Sequence, residues 1–558
     1  MRCASFVSCP PSCPVSATVT PSKPFASRPM ASLPTSFAEY WDRHARERGE
    51  RTALADRRRS LSWREASESS RAIARGLLAL GVEPGAVVAC WLPNWVESYV
   101  VRIACERAGL IWLPIAARLR EWELQKILER SEPAALIVPD RFHDRDYVAE
   151  AQTLVPDLRE PPRLVVAVGA LAAPGMSLED VARVGSRPSA PSIPEHPPDD
   201  ALVILPTSGS TGIPKFAQFR VSTWLLRARA QAELLDLGED ELVVALSQGI
   251  GPSIIPLFAA PIVGAAACLI DEFEPGLVIE TLARVRPTIV CGVPPQIMTL
   301  LDHPNWSNAG LDRLRIWYTT GAAFPPAAAA HLERRTPGIV LTGYGGMDFG
   351  GWTVPSPTDP PEVRRHTVGR PRGNTEIRLV DDAGSEVAAG ETGEIWGRGP
   401  CCAMGYFRDD AATREAWTAD GWFRTGDLAR YDAAGNLIIV GRKKDRIRRG
   451  GMSIEPGEIE ALLSGHPKID KAAVVGFPDP LLGERACAFV VPRNGETVTL
   501  DEVSGYLRAQ RIATFKIPER LEVIAELPLR GDKIDRAALR RTIEKQVRGA
   551  ATAGANGS

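Results

Sequence analysis

Apolar and polar positions alternate along the first two-thirds of the chain in a way that predicts helices and strands in turn. Short apolar runs are typical of buried strands, and apolar residues three and four apart, such as Ile73 and Leu77, are typical of helices. Gly81 is placed to cap the first of these helices. The predicted elements here are helices at 71–80, 95–108 and 121–131 and strands at 86–92, 110–115 and 134–138.

The alternation pauses and then resumes. Residues 155–200 are rich in proline and predict a surface excursion rather than part of a sheet. Further strands are predicted at 201–205, 241–246, 265–270, 288–291 and 315–318, with helices between them. Strands that alternate with helices indicate parallel sheets with crossover helices.

The pattern changes after about residue 367, where short strands and turns dominate. Asp and Gly at 381–384, and again at 432–436, predict hairpin turns. The fold class predicted is therefore α/β: a large N-terminal domain of mixed, mostly parallel sheets with flanking helices and a β-rich subdomain. A small α+β domain follows from residue 441.

These patterns divide the chain into four parts: residues 1–31, 32–440, 441–548 and 549–558. The first part has no acidic residue and many Pro and Ser residues. It is interpreted as a disordered tail or as the result of a mis-assigned start, with Met30 as the real one; a targeting segment stays an alternative. The second and third parts are the large and small domains, and the fourth is a disordered tail.

Composition excludes several classes of protein. The chain has 66 Lys and Arg against 68 Asp and Glu, which argues against a nucleic-acid binder driven by bulk charge. No apolar run is long enough to cross a bilayer, so no integral membrane association is expected. Ten cysteines in 558 residues, without a C-x-x-C pair, predict buried thiols in a reducing compartment rather than disulfides or zinc.

The stretch most typical of a ligand site is L-P-T-S-G-S-T-G-I-P-K at 205–215. Four hydroxyl residues, two glycines and a closing lysine can hold a polyphosphate through backbone N–H groups, hydroxyl groups and a point charge. It is not a Walker A loop, because Lys215 follows Pro214 and no Ser or Thr comes after it. Taken alone, such a loop is also compatible with a polar surface turn.

Five further stretches make an isolated surface turn an improbable interpretation. They are T-G-A-A at 320–323, T-G-Y-G-G-M-D at 342–348, G-W-F-R-T-G-D-L at 421–428, G-R-K-K-D-R-I-R-R-G-G at 441–451 and L-P-L-R-G-D-K-I-D-R at 527–536. In this order they resemble the adenylate-forming superfamily, which comprises acyl- and aryl-CoA synthetases, peptide-synthetase adenylation domains and luciferases. The resemblance runs from about Phe37 to Val547, and the wording at 512–520 is similar to the aryl-acid and cyclic-carboxylate branch.

The resemblance implies a role for each matching residue. The phosphates of ATP would be held by Thr207, Ser208, Gly209, Ser210, Thr211, Gly212 and Lys215, adenine by Gly321, Ala322, Ala323 and Tyr344, and ribose by Asp427 and Arg442. Asp348 and Thr211 would bind Mg²⁺, and Gly450 and Gly451 would line the channel for CoA. The acid pocket would comprise Gln248, Gly249, Gly251, Gly321, Gly345 and Gly346. Lys444 would be the hinge, and Lys533, Asp348 and Lys215 would be catalytic.

The implied reaction joins a small carboxylic acid to the thiol of CoA in two steps. ATP first converts the acid to an acyl-adenylate with release of pyrophosphate, and the thiol then displaces AMP. Two alternatives stay open: an aryl- or acyl-AMP ligase that loads a carrier protein, and a nucleotide-binding pseudo-ligase. A cytoplasmic location is expected, and the sequence leaves open whether the protein is a monomer or a homodimer.

The sequence departs from the family pattern at three places, and these motivate the pseudo-ligase alternative. Met347 and Asp348 stand where the family has Thr and Glu, which removes one hydroxyl donor and shortens the carboxylate. Asp532 stands where Gly precedes the catalytic lysine and can pair with Lys533. The segment Q-G-I-G at 248–251 replaces the H-x-x-G of many acyl-CoA ligases.

Overall fold

The computed structural model describes residues 33–169, 175–194, 200–207, 214–246, 254–372, 375–449, 452–454, 456–479, 482–510, 512, 514–530 and 533–555. Within these residues the fold class is as predicted, with mostly parallel sheets in the N-terminal part and a smaller α+β unit at the C-terminus. The boundaries of the four predicted parts stay predictions. The last helix, Arg536–Ala555, continues beyond residue 548, where we placed the end of the small domain.

Two large sheets form the N-terminal part, and their central strands pair in parallel. In the described residues, the first sheet has the order Arg370–Pro371, Gly350–Val354, Ile339–Gly346, Ile316–Thr320, Ile289–Gly292, Leu242–Ala245, Ala266–Leu269, Thr52–Ala55, Ser60–Ser62. The second has the order Gly405–Tyr406, Lys215–Arg220, Ala201–Thr207, Ile111–Ala116, Val87–Leu92, Ala135–Pro139, Leu164–Val168, Met176–Ser177.

Helices pack on both sheets, as the crossover connections require. They are Phe37–Arg48, Trp63–Ala79, Val96–Ala108, Glu121–Ser131, Tyr147–Leu154, Leu178–Gly185, Val221–Leu234, Ala260–Val263, Pro275–Val285, Pro294–Leu301, Pro326–Arg335, Pro361–His366 and Asp410–Ala416. A π-helical segment, Ile255–Ala259, precedes one of them. Its Phe258 stacks on Trp224 with ring centroids 4.0 Å apart, which fixes helix Val221–Leu234 against the core.

The β-rich subdomain and the C-terminal unit follow. An antiparallel sheet has the order Glu376–Val380, Gly393–Arg398, Phe423–Tyr431, Leu437–Arg442. The C-terminal sheet has the order Met452–Ile454, Ile447–Arg449, Gly483–Pro492, Ile469–Asp479, with Arg520–Val523 beside Gly483–Pro492. Its helices are Pro456–Leu463, Leu500–Ala509 and Arg536–Ala555, and short hairpins join Arg141–Phe142 to Arg145–Asp146 and Leu529–Arg530 to Lys533–Ile534.

Two sequence predictions need correction. The prediction that 155–200 is a surface excursion was wrong, because Leu164–Val168 is a strand of the second sheet and Val166 and Val168 are fully buried. The helix predicted at 71–80 begins earlier, at Trp63, where Ser62 and Glu65 form a capping box. Its predicted end is confirmed, since Gly81 adopts a φ of 84° that favours glycine.

Candidate active site

Two neighbouring parallel strands bring the predicted adenine and acid segments to one edge of the first sheet. Strand Ile316–Thr320 ends directly before Gly321, which has a φ of 87° and precedes two small, exposed residues. Its neighbour, Ile339–Gly346, carries Tyr344 and ends in the two glycines of the predicted pocket. The carboxyl ends of parallel strands are the usual place for a ligand in an α/β sheet, so this edge fits a nucleotide.

The predicted phosphate loop lies between two antiparallel strands. Strand Ala201–Thr207 pairs with Lys215–Arg220, and Thr207 stands opposite Lys215 at the open end of the pair. Because Lys215 begins a strand and not a helix, the sequence-based exclusion of a Walker A loop is confirmed. Ten predicted site residues lie outside the described residues: Ser208, Gly209, Ser210, Thr211, Gly212, Gln248, Gly249, Gly251, Gly450 and Gly451.

The Asp427 carboxylate is held between two side chains from different sheets. The Tyr344 hydroxyl donates to Oδ2 at 2.9 Å, and the Nε of Arg442 lies 2.8 Å from Oδ1. Arg442 is placed there because the hairpin at 432–436 sets it opposite Asp427 in the antiparallel pair. Burial raises the pKa of Asp427, and the Arg442 guanidinium opposes that rise. A carboxylate fixed in this way can accept hydrogen bonds from two vicinal hydroxyl groups.

Lys533 reaches this cluster from the C-terminal unit. It begins the second strand of the short hairpin Leu529–Arg530 and Lys533–Ile534. Its ammonium keeps solvent contact but is crowded by protein, and burial followed by the nearby Arg442 lowers its pKa, while Asp427 and Asp348 act in the opposite direction. The predicted catalytic lysine is therefore close to both predicted carboxylates. Asp532 lies outside the described residues, so its pairing with Lys533 stays a prediction.

Tyr406 is a member of the site that the sequence analysis missed. Its hydroxyl donates to Oδ1 of Asp348 at 2.8 Å, and its ring lies 5.0 Å from the Nζ of Lys215. The strand pairing of Tyr406 with Ala217 brings these residues together. Burial, followed by the Asp348 carboxylate, raises the pKa of Tyr406, so the hydroxyl remains a donor at neutral pH. The G-Y dipeptide carries no sequence signal for this role, which depends on sheet pairing.

The carboxylate of Asp348 fits a site for Mg²⁺. Among the described residues no group of three or more His, Cys, Asp and Glu side chains could enclose a metal ion. Mg²⁺ does not need such a cage, because it binds through one or two carboxylates, substrate phosphates and water. Asp348 lies in the turn between strands Ile339–Gly346 and Gly350–Val354, and its bond to Tyr406 fixes one oxygen and leaves the other available.

Lys444 lies between the N-terminal and C-terminal units. It is exposed in a short 3₁₀ turn, Lys443–Asp445, after the last strand of the β-rich sheet and before the first strand of the C-terminal sheet. Its neighbour Lys443 is fixed by Glu394 at 2.9 Å and Asp382 at 3.2 Å. An exposed residue directly after an anchored one is suited to absorb a rotation of the backbone.

Comparison with known protein families decides the class. The model for "AMP-binding enzyme" matches residues 41–407, and the model for "AMP-binding enzyme C-terminal domain" matches residues 458–532. The chain belongs to the AMP-binding enzyme family. The resemblance to adenylate-forming enzymes is thereby confirmed over both units.

Curated members of the AMP-binding family align with almost the whole chain. The medium-chain fatty-acid–CoA ligase of Escherichia coli K12 is 32% identical over 521 residues, which cover 92% of this chain and 91% of the relative. The salicylyl-CoA synthase / salicylate adenylyltransferase of a Streptomyces species is 32% identical over 526 residues, which cover 92% and 94%. The chain is therefore similar to ligases for both aliphatic and aromatic acids.

A solved structure of the AMP-binding family has the same fold. The crystal structure of the anthranilate CoA ligase AuaEII in complex with anthranoyl-AMP superimposes with a TM-score of 0.83 at 25% identity, covering 93% of this chain and 99% of that one. The predicted class is confirmed: this AMP-binding enzyme is an AMP-forming acid–thiol ligase that uses ATP with Mg²⁺, and the acyl group passes to CoA or to a carrier protein. None of the helices in the described ranges is long and apolar enough to span a membrane.

Proposed function

We propose that this enzyme activates an aromatic carboxylic acid with ATP and transfers the acyl group to CoA. In the first step a carboxylate oxygen forms a bond to the α-phosphorus of ATP and pyrophosphate leaves. In the second step the thiol sulfur bonds to the acyl carbon, and AMP leaves with the electron pair of the broken C–O bond. The similarity to proteins named for salicylate and anthranilate supports an aromatic substrate, as does the wording at 512–520.

One observation carries the proposal: Lys533 lies close enough to Asp427, Arg442 and Asp348 for their charges to act on it. These residues belong to the segments predicted for the catalytic lysine, the ribose and Mg²⁺, and they come from three separate parts of the chain. A cation at this position can hold the attacking carboxylate beside the α-phosphate and stabilise the negative charge that develops there. The arrangement corresponds to the adenylation step.

The remaining groups position ATP around that lysine. Asp427, held by Tyr344 and Arg442, accepts hydrogen bonds from the ribose hydroxyl groups, and the small residues 321–323 lie against the adenine ring. Thr207 and Lys215 hold the outer phosphates together with the loop between them. Mg²⁺, bound at Asp348, neutralises phosphate charge in this class of reaction. The Tyr406 hydroxyl keeps the Asp348 carboxylate turned toward the phosphates.

The thiol step needs a different arrangement at the same acyl-adenylate. We propose that the C-terminal unit rotates about Lys444, which removes Lys533 and brings the glycines 450 and 451 to line the thiol channel. The exposure of Lys444 supports this role, since a hinge side chain must be solvated in both states. We place the enzyme in the cytoplasm, because the seven cysteines in the described residues are all free thiols.

The test measures the two half-reactions separately. Acid-dependent exchange of pyrophosphate into ATP is expected with aromatic acids such as benzoate and salicylate, and added CoA should convert single-turnover adenylate to thioester with release of AMP. Exchange without any CoA-dependent thioester would replace CoA by a carrier protein as acceptor. Absence of exchange over a broad panel of acids, with nucleotide binding intact, would favour the pseudo-ligase.

A further inference from the structure

A partly open cleft of about 400 Å³ lies beneath the hairpin that carries Asp348, and its lining is unusually rich in unpaired donors. Arg227 and Gln231 enter it from helix Val221–Leu234, and Arg372 enters from the opposite side. Apolar side chains, among them Ile254 and Trp352, complete the wall. Buried polar groups normally have hydrogen-bond partners, so a cleft with several unpaired donors indicates a ligand.

The guanidinium of Arg227 is the main unpaired group. The residue is 7% exposed, and among the described residues neither its Nε nor its Nη1 has a hydrogen-bond partner. It rests on the face of Trp224 at 4.1 Å, which offsets only part of the cost of burying a charge. Burial lowers the pKa of Arg227 to about 10, and the groups that act on it are Cys401, Tyr318 and Cys402, none of them a carboxylate.

Two more donors face the same space. Within the part of the chain that the structure describes, the Nη1 of Arg372 and the Nε2 of Gln231 have no hydrogen-bond partner, although the Nη2 of Arg372 donates to the Val354 carbonyl. Burial lowers the pKa of Arg372 to about 10. Both guanidinium groups therefore remain charged at neutral pH, and the cleft holds two positive charges.

Another buried arginine shows what a structural pair looks like in this protein. Arg102 is 1% exposed, lies between the rings of Phe37 and Phe258, and has its Nη1 3.5 Å from the carboxylate of Glu106. Arg227 differs in that no described carboxylate pairs with it. The difference indicates that the anion for Arg227 comes from outside the chain.

The cleft adjoins the predicted acid pocket at three points. Gly351 follows Asp348 by three residues, and a Cβ there would lie 3.4 Å from the Nη2 of Arg227. Tyr318 lies on the strand that ends just before Gly321. Ile254 is the first described residue after the segment 247–253, which contains the predicted acid-binding residues. The cleft is therefore the floor of the site at whose mouth Asp348 and Lys533 stand.

We infer that the acid substrate carries a second anionic group, a carboxylate at the end remote from the one that is adenylated, and that Arg227 and Arg372 bind it. This inference rests on the proposed function, because it assigns the substrate of that same site. A planar guanidinium binds a carboxylate through two parallel hydrogen bonds, and Gln231 supplies a further donor. Ile254 and Trp352 contact the apolar body between the two carboxylates, which suits an aromatic or short aliphatic diacid.

The first experiment compares matched acids in pyrophosphate exchange: terephthalate, its neutral isostere 4-carbamoylbenzoate and benzoate, with adipate and hexanoate as the aliphatic pair. The wild-type enzyme should prefer each diacid to its partner by about 100-fold in kcat/KM, because rejecting the wrong acid leaves buried charges unpaired. R227M should reduce that preference to less than about tenfold. R229M, on the same helix but bonded to Tyr40 and Pro34, is the control and should retain it.

The outcomes separate the two claims. No exchange with any acid would overturn the proposed function. Exchange that favours benzoate over terephthalate, or an equal preference in R227M and wild type, would overturn the second carboxylate and leave the ligase activity standing.

The second experiment needs no turnover. Terephthalate alone should raise the thermal midpoint of the wild-type enzyme and of R229M but not of R227M. Without ligand, R227M should unfold no earlier than wild type, because it removes an unpaired buried charge, whereas R102M should unfold several degrees earlier because it leaves Glu106 buried alone. A large loss of stability in R227M, equal to that of R102M, would make Arg227 a structural residue and overturn the inference.

Discussion

The hydroxyl of Tyr406 and the carboxylate of Asp348 are joined by a 2.8 Å hydrogen bond across 58 positions of sequence. Tyr406 belongs to the second large sheet, whereas Asp348 lies in a turn of the first. The bond therefore ties the proposed Mg²⁺ ligand to the sheet that carries the phosphate loop. Its removal should alter metal dependence before it alters folding.

Tyr406→Phe should raise the Mg²⁺ concentration needed for half-maximal pyrophosphate exchange and lower the maximal rate about tenfold, the cost of one hydrogen bond to a charged group. The aromatic ring remains, so the packing against Trp417 at 5.2 Å should persist. Tyr431→Phe is the matched control, since its hydroxyl makes only a 3.4 Å bond to the Ile377 carbonyl. An unchanged Mg²⁺ titration in Tyr406→Phe would show that Asp348 does not need this bond.

Lys533→Ala should lower the rate of adenylation by about 100-fold or more, because it removes a charge that stabilises the transition state. Thioester formation from a supplied acyl-adenylate and CoA should survive, since that step does not use this lysine. Lys545→Ala, an exposed substitution on the last helix, should change neither step. Equal loss of both half-reactions in Lys533→Ala would contradict the assigned role.

The pH dependence of adenylation should report the same residue. Adenylation needs the charged form of Lys533, and burial together with Arg442 lowers its pKa. The rate should therefore fall as pH rises through a value below about 10.5, the ordinary value for lysine. In Lys533→Arg the guanidinium stays charged, so the residual activity should lose this alkaline decline. A decline of the same shape in both proteins would assign it to another group.

Asp42 should contribute a pH-dependent part of the stability of the N-terminal unit. It forms a bidentate pair with Arg107, with distances of 2.6 and 3.0 Å. Burial raises the pKa of Asp42, but Arg107, Ser67 and Arg71 outweigh it and lower the pKa to about 2. The unfolded chain titrates at about 4, so the contribution is complete above that pH and is lost as pH falls toward 2.

Asp42→Asn should therefore lower the midpoint of denaturant unfolding at pH 7 by an amount equivalent to about 2 kcal/mol. The difference from wild type should shrink as the pH is lowered from about 4 to about 2. Asp144→Asn, which changes an exposed aspartate, supplies the control. A difference that is constant with pH would mean that the charge of Asp42 does not stabilise the fold.

Local patterns predicted the individual elements well. Helix Glu121–Ser131 has the predicted bounds, and strand Val87–Leu92 differs from its prediction by one residue, because apolar spacing and turn residues act within a few positions. The strand Leu164–Val168 was missed because the prolines around it masked a short β-branched run whose burial depends on its parallel neighbour, Ala135–Pro139.

The site was predictable only where its residues belong to a recognisable word of sequence. Asp427 and Arg442 are such residues, and the structure places them 2.8 Å apart. Tyr406 and Arg227 are not, because each owes its position to contacts made across the fold. A lone tyrosine after glycine, or an arginine within an apolar helix, gives no local signal of the groups it will meet.

The pairing of Thr207 with Lys215 also bears on how the enzyme finishes a turnover. In P-loop proteins the phosphate loop leads into a helix, whose dipole adds to the grip on anions. Here the chain returns along the same sheet, so the polyphosphate is held by side chains and loop amides without a helix terminus behind them. A weaker hold suits a catalyst that must discard pyrophosphate before the thiol can react, and it makes departure of that product, rather than its capture, the property that this loop is built to favour.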